Sequence, residues 1–216
     1  MNIVKPYAKI MEPEQLAKAL ERIEYAARVS HRSEDETGLN TERFIRAVVL
    51  QHGDWSVVEH VCCSVEFLVD RGITHEIVRH RIASYTQEST RFVNYVKKML
   101  PSFIYPIVGV EEKDYSQIWL TAIENAEWAY KELLKAGWKP QEARSVFPNA
   151  LASKIIVTFN LRQWRQFFLM RTSKEAHPQM KEVTVPLLSE FKQLIPVLYE
   201  DIIPESRQVD NIARGR

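Results

Sequence analysis

The stretch HVCCSVEFLVDRGITHEIVRHR, residues 60–81, changes its period halfway along. Val61, Cys63, Val65, Phe67 and Val69 alternate with their neighbours. That period of two buries one face of a β-strand. From Thr74 the pattern becomes a short helix, THEIVRH, with Thr74 as its expected cap. A strand leading into a helix calls for a sheet packed on helices, and the flanking sequence supplies both.

Upstream, EPEQLAKALERIEYAARVSH sets Leu16, Leu20, Ile23 and Ala27 on one helical face, with Pro13 in the first turn. NTERFIRAVVLQHG predicts a second amphipathic helix, capped by Asn40 or Thr41 and stopped by Gly53. Downstream, RFVNYV and SFIYPI suggest further strands. DYSQIWLTAIENAEWAYKELLKAGW is the longest clean helix, from an Asp114 cap to a Gly137 stop. A short helix follows Pro140, ASKIIVTFN suits either type, and LRQWRQFFLMR is helical. A last helix begins near Pro178, where Pro186 and Pro196 kink or divide it. With no repeat, low-complexity tract or linker, the expectation is one α+β domain over residues 1–216, a mixed or antiparallel sheet flanked by long helices.

The chain carries 29 basic and 28 acidic residues, a formal charge of +1, so nothing in the whole molecule asks for DNA or an acidic membrane. Yet RHRIASYTQESTRF, from Arg79, concentrates three arginines and a histidine against one acid, Glu88. Such local charge suits a small anion better than a polymer. The two cysteines are adjacent, Cys62 and Cys63, which excludes a disulfide framework. No signal peptide or transmembrane run is evident, so a cytoplasmic location is expected. His52 and His60 flank HGDWSVVEH without a third ligand at metal spacing, and no metal is expected.

Cations at the end of THEIVRH would complement the helix dipole, with Glu76 pairing back. That accounts for one or two arginines, but not for Arg91 beyond the polar run SYTQEST. Arginines converging with a serine and backbone N–H groups form a phosphate cradle. Ser56 and Glu59 have capping-box spacing. In FNLRQWRQFFLMR, Arg165 reads as part of a solvated basic face, whereas Arg171 closes an apolar run and needs a partner or water. Asn160 suits a helix cap, a ligand contact, or both. Neither cysteine has an evident activating base, and no glycine-rich phosphate loop is present.

Arg79-His80-Arg81, then seven residues, then Ser89, with Arg91 close behind, resembles the signature of the flavin-dependent thymidylate synthases. HGDWSVVEH, EARSVFP around Arg144, and FNLRQWRQFFLMR resemble the same family, so the likeness covers roughly residues 50–180. The resemblance implies transfer of a methylene group from methylenetetrahydrofolate to C5 of dUMP, with FAD supplying the hydride and NADPH re-reducing it. It also implies a homotetramer with active sites shared between subunits, and no protein nucleophile. The FAD contacts it implies are Ser56, Glu59, Arg79, His80, Arg81, Ile82, Gln87, Asn160, Arg162, Gln166 and His177. For dUMP it implies Glu76, Arg79, Gln87, Glu88, Ser89, Arg91, Arg144 and Arg171, the last activating the pyrimidine. Asp54, Gln166 and Glu76 depart from residues that some members carry. The rival reading is a nucleic-acid-binding module using residues 79–92 and 161–171, which the near-zero net charge disfavours. A phosphatase or acyl transferase built on Ser89 and His80 lacks an orienting carboxylate.

Overall fold

A computed structural model of the chain describes residues 1–96, 100–107 and 116–205. Its strands are β1 (Asn2–Ile3), β2 (Tyr7–Ile10), β3 (Cys62–Asp70), β4 (Ser84–Gln87), β5 (Ser102–Phe103) and β6 (Ala152–Asn160). The α-helices are α1 (Pro13–Ala17), α2 (Ala19–Val29), α3 (Thr41–Ile45), α4 (Arg71–Ile77), α5 (Ser116–Lys135), α6 (Pro140–Ala143), α7 (Leu161–Arg171), α8 (Pro178–Leu194) and α9 (Pro196–Tyr199). One sheet has the order β2-β3-β6-β4, and β1 pairs with β5 in parallel. The α+β class is therefore as expected.

The described residues form two compact units. The first comprises Met1–Tyr7, Glu66–His80 and Tyr85–Val157. Here the Arg71 N–H donates to the Leu151 carbonyl at 3.1 Å. Its aromatic core stacks Tyr130 on Phe147 at 4.4 Å, with Tyr95 edge-on to Phe147 at 5.6 Å. Phe103, Ile123 and Leu151 close that core.

The second unit comprises Ala8–Val65, Arg81–Ser84 and the chain from Thr158 onward. Here the Leu161 N–H donates to the Val61 carbonyl at 2.9 Å, and the Ser64 and Thr158 hydroxyls meet at 2.7 Å. The pairs 61 with 161 and 71 with 151 make β3 and β6 antiparallel. Trp164 is fully buried among Phe159, Phe167, Phe168 and Phe191, and its Nε1–H donates to the Cys63 carbonyl at 3.0 Å. A buried indole needs such a partner for its N–H.

The alternation in β3 holds: Val61, Cys63, Val65, Phe67 and Val69 are all buried. Other boundaries move. Helix α4 starts at Arg71, and Asp70 caps it by accepting the Ile73 N–H at 2.9 Å. Thr74 lies inside the helix and donates to the Arg71 carbonyl. RFVNYV is not a strand, because the N–H groups of Phe92 and Val93 both turn back to the Ser89 carbonyl. SFIYPI contributes only β5. The first helix breaks at Lys18 into α1 and α2. The second runs from α3 into a π-helical segment, Arg46–Gln51, and Asn40 makes no side-chain cap bond. Gly53 and Gly137 stop their helices at φ +85° and +94°, conformations that a side chain resists. Pro186 stays inside α8, while Pro196 opens α9. ASKIIVTFN is β6. The expected Asp114 cap lies outside the described residues.

Within the second unit the buried Glu24 accepts Arg28 Nε–H at 2.8 Å and the Gly38 N–H at 3.1 Å. Burial pushes its carboxyl up, but hydrogen bonds from Thr41, Gly38 and Arg28 outweigh that and hold it below its ordinary value. A lowered carboxyl stabilises the fold above its unfolded pKa and loses that contribution as pH falls through the folded one. Glu24→Gln should therefore lower the urea midpoint at pH 7, by roughly 2–3 kcal/mol of stability. The gap from wild type should close as pH drops below about 4.3, the ordinary glutamate value. Denaturation curves at pH 7, 4 and 3 measure both.

Candidate functional site

In the second unit β6 runs into α7 without a loop, and Asn160 makes the corner. Its Oδ1 accepts the Gln163 N–H at 2.8 Å, a cap that sets the phase of the helix. Leu161, Trp164, Phe167 and Phe168 then point into the core. Arg162, Gln163, Arg165, Gln166 and Leu169 face a cavity of about 430 Å³, whose other walls are Trp55, Glu59, Arg81, Ile82 and Asn160. Six of the residues expected to contact flavin thus meet here: Glu59, Arg81, Ile82, Asn160, Arg162 and Gln166. Asn160 serves as cap and cavity wall together.

Glu59 does not close a capping box with Ser56. The 3₁₀ turn Trp55–His60 has Asp54 at its start with no side-chain cap bond, and Glu59 reaches across to Arg162 Nη1 at 2.6 Å. Both partners are about half exposed, so this pair orients side chains more than it stabilises the fold. Arg165 is not a solvated basic residue either. It holds both oxygens of Asp201 at 2.7 and 2.5 Å, donates to the Leu198 carbonyl at 2.7 Å, and lies 4.9 Å over the Trp55 ring. That hydrogen bonding holds the Asp201 carboxyl below its ordinary range. Arg81 makes no ion pair among the described residues.

Ser56, His177 and Arg171 also belong to the second unit but do not line this cavity. His177 caps α8, its Nδ1 accepting the Gln179 N–H at 3.2 Å. Arg171 ends α7 half-buried, its carbonyl accepting from Thr184 Oγ1 at 2.9 Å.

The nucleotide set, apart from Arg171, falls in the first unit. Arg91 Nε donates to the Gln141 side chain at 3.3 Å, and Arg144 Nε to the Gln141 carbonyl at 3.2 Å. Arg144 Nη1 also donates to Thr90 Oγ1 at 3.0 Å, and Ser89 Oγ accepts the Arg91 N–H at 3.3 Å. Two guanidiniums thus share one neutral amide residue, which leaves their charge uncompensated by it. Glu88 accepts the buried Tyr95 hydroxyl at 2.6 Å. Gln87 donates to Thr74 and Ser153 at 3.0 and 3.1 Å. Glu76 is half-buried on α4; Arg79 is exposed and His80 buried just beyond it. The His80 carbonyl accepts from the Tyr85 hydroxyl at 2.5 Å.

The sequence reading missed Trp55, Gln163, Arg165, Leu169 and Gln141. The spacing 162, 165, 166, 169 marks one helical face, which includes Arg165 and Leu169; Gln141 immediately precedes EARSVFP but has no signal of its own. Among the described residues no group of three His, Cys, Asp or Glu is placed to hold a metal, and no helix is long and apolar enough to cross a membrane. Cys63 is buried and its thiol pushed up to about 12 by that burial, with Cys62 and Glu12 adding to it; Cys62 is exposed.

Residues 12–197 match the family model described as thymidylate synthase complementing protein. The chain is 34% identical over 194 residues to a flavin-dependent thymidylate synthase of Saccharolobus solfataricus, covering 86% of this chain and 70% of that one. It is 32% identical over 213 residues to the enzyme of that name from Corynebacterium efficiens, covering 89% and 81%. Among solved structures it is similar in fold to a UMP/dUMP methylase, PolB, from Streptomyces cacaoi bound with 5-Br dUMP. That likeness has a TM-score of 0.75 at 23% identity and covers 93% of this chain and 96% of the other.

The thiol environments carry their own expectation. At pH 8 a maleimide should label Cys62 rapidly and Cys63 only after unfolding, since the thiolate is the reactive form. Mass spectrometry of native and denatured samples reads the difference, and equal native labelling of both would contradict the burial of Cys63.

Proposed function

The chain belongs to the thymidylate synthase complementing protein family, and from this premise we propose that it makes dTMP from dUMP as a flavin-dependent, methyltransferase-type thymidylate synthase. The observation that carries the reading is the cavity on α7. A flavin dinucleotide presents phosphates, hydroxyls and flat rings. Arg81 and Arg162 suit the first, the amides of Asn160, Gln163 and Gln166 the second, and Trp55, Ile82 and Leu169 the third. The donor set therefore fits FAD. Bound FAD would supply the hydride that completes the methyl group, with methylenetetrahydrofolate as carbon donor and NADPH as reductant.

The chain's own residues bind and polarise. Ser89, Arg91 and Arg144 would hold the dUMP phosphate, their charge left available by the neutral Gln141 between the two arginines. Glu76, Arg79, Gln87 and Glu88 complete the nucleotide set, and Ser56, Arg79, His80, Gln87 and His177 complete the FAD set, as family positions. Arg171 would meet the pyrimidine. Uracil C5 becomes a better nucleophile as negative charge develops over N3 and the carbonyl oxygens, and a guanidinium stabilises that charge with two parallel hydrogen bonds. No protein nucleophile is required, which agrees with the inert environment of Cys63. The whole chain would act as one catalytic domain in a cytoplasmic homotetramer whose subunits share residues at each active site. A nucleic-acid-binding role is disfavoured by the formal net charge of only +1.

Anaerobic turnover of dUMP with FAD-loaded protein tests this reading. dTMP should form only when methylenetetrahydrofolate and NADPH are both present, and denaturation should release FAD. Colourless protein that neither binds added FAD nor makes dTMP would end it. Arg171→Ala should lower kcat by about 100-fold or more, while normal turnover at saturating dUMP would remove Arg171 from its role.

A further inference from the structure

Arg165 differs from the other two arginines around the α7 cavity. Among the described residues Arg81 makes no ion pair, and Arg162 makes one, to the exposed Glu59. Arg165 spends three N–H bonds, two on Asp201 and one on the Leu198 carbonyl. Its side chain is only 16% exposed, and its Cζ lies over the Trp55 ring, 4.9 Å from the ring centroid. A guanidinium already neutralised by a bidentate carboxylate has little left to offer a phosphate. It remains a flat, polarisable group, and because it lies over the indole the two make one layered pair in the cavity wall.

We propose that Trp55 and Arg165, one over the other, form a layered wall against which a ring of the bound dinucleotide packs, and that Asp201 is the positioning residue that holds this wall. Asp201 does not itself line the cavity. The inference rests on the flavin reading above. The chain around Asp201 is also held: Glu200 accepts Arg46 Nη1 at 2.6 Å, and the Tyr199 hydroxyl donates to the Leu161 carbonyl at 2.8 Å. The carboxylate is thus presented from an anchored segment and can fix the guanidinium it grips. Phosphate recognition is left to Arg81 and Arg162.

Salt separates the two jobs, because charge attraction at an exposed site is screened while ring packing is not. FAD affinity is read by fluorescence titration of flavin-depleted protein, at temperatures where melting curves show every variant folded. At about 0.5 M salt, Arg165→Ala, Trp55→Ala and Asp201→Ala should each weaken binding by roughly tenfold. The Arg165→Ala loss should be the same at about 0.05 M salt, whereas the loss from Arg162→Ala should be larger there than at high salt. The double variant Arg165→Ala/Asp201→Ala should bind no worse than Arg165→Ala alone, since Asp201 acts through Arg165. Asp201→Glu, which keeps the carboxylate, should recover part of the Asp201→Ala loss. An Arg165→Ala loss that disappears at high salt would make Arg165 a phosphate contact and overturn the wall. Additive losses in the double variant would overturn the role of Asp201. Wild-type protein that binds no FAD would instead overturn the flavin reading itself.

Discussion

Both candidate sites depend on one kind of corner, a strand that becomes a helix at a single capping residue. Asp70 ends β3 and accepts the Ile73 N–H; Asn160 ends β6 and accepts the Gln163 N–H. Each cap satisfies an N–H that the helix cannot, and each fixes where its helix begins. Because successive residues turn by ~100°, a start displaced by one residue would rotate the whole face. With Asn160 as cap, Trp164, Phe167 and Phe168 enter the aromatic core and Arg162, Arg165 and Gln166 line the cavity. The core and the site are two faces of one phase choice.

The near-zero net charge conceals a specific distribution. Many arginines have a nearby carboxylate: Arg28 has Glu24 and Glu36, Arg46 has Glu42 and Glu200, Arg162 has Glu59, and Arg165 has Asp201. Arg91 and Arg144 break the pattern by converging on Gln141, which carries no charge. Neither makes an ion pair among the described residues, although the Gln141 side chain itself donates to the Glu142 carboxylate at 3.0 Å. The proposed phosphate-binding role rests on the identity of the partner more than on the number of arginines.

Much of the fold was legible because it is local. The alternation from Val61 to Val69 needs only neighbours two residues apart, and Gly53 and Gly137 stop helices through their own backbone freedom. The failures share a cause. Thr74 was a plausible cap until Asp70, four residues earlier, took the role. Ser56 and Glu59 had the spacing of a capping box, but Glu59 pairs with Arg162, more than a hundred residues away. RFVNYV has the composition of a strand, yet the Ser89 carbonyl draws its first N–H groups into a turn. In each case a competing partner won that the local pattern did not contain.

The sequence alone determined the α+β class, the helical faces and, through Arg79-His80-Arg81 with Ser89, the family. These are carried by periodicity and by a long motif, both independent of how the chain returns on itself. Only the tertiary structure decided which arginines are committed to a carboxylate and which meet neutral partners. Arg165 reads as a surface cation until Asp201, Leu198 and Trp55 are brought to it. The physical reason is that a charge is defined by its partners, and those partners are set by packing across long separations that no local pattern records.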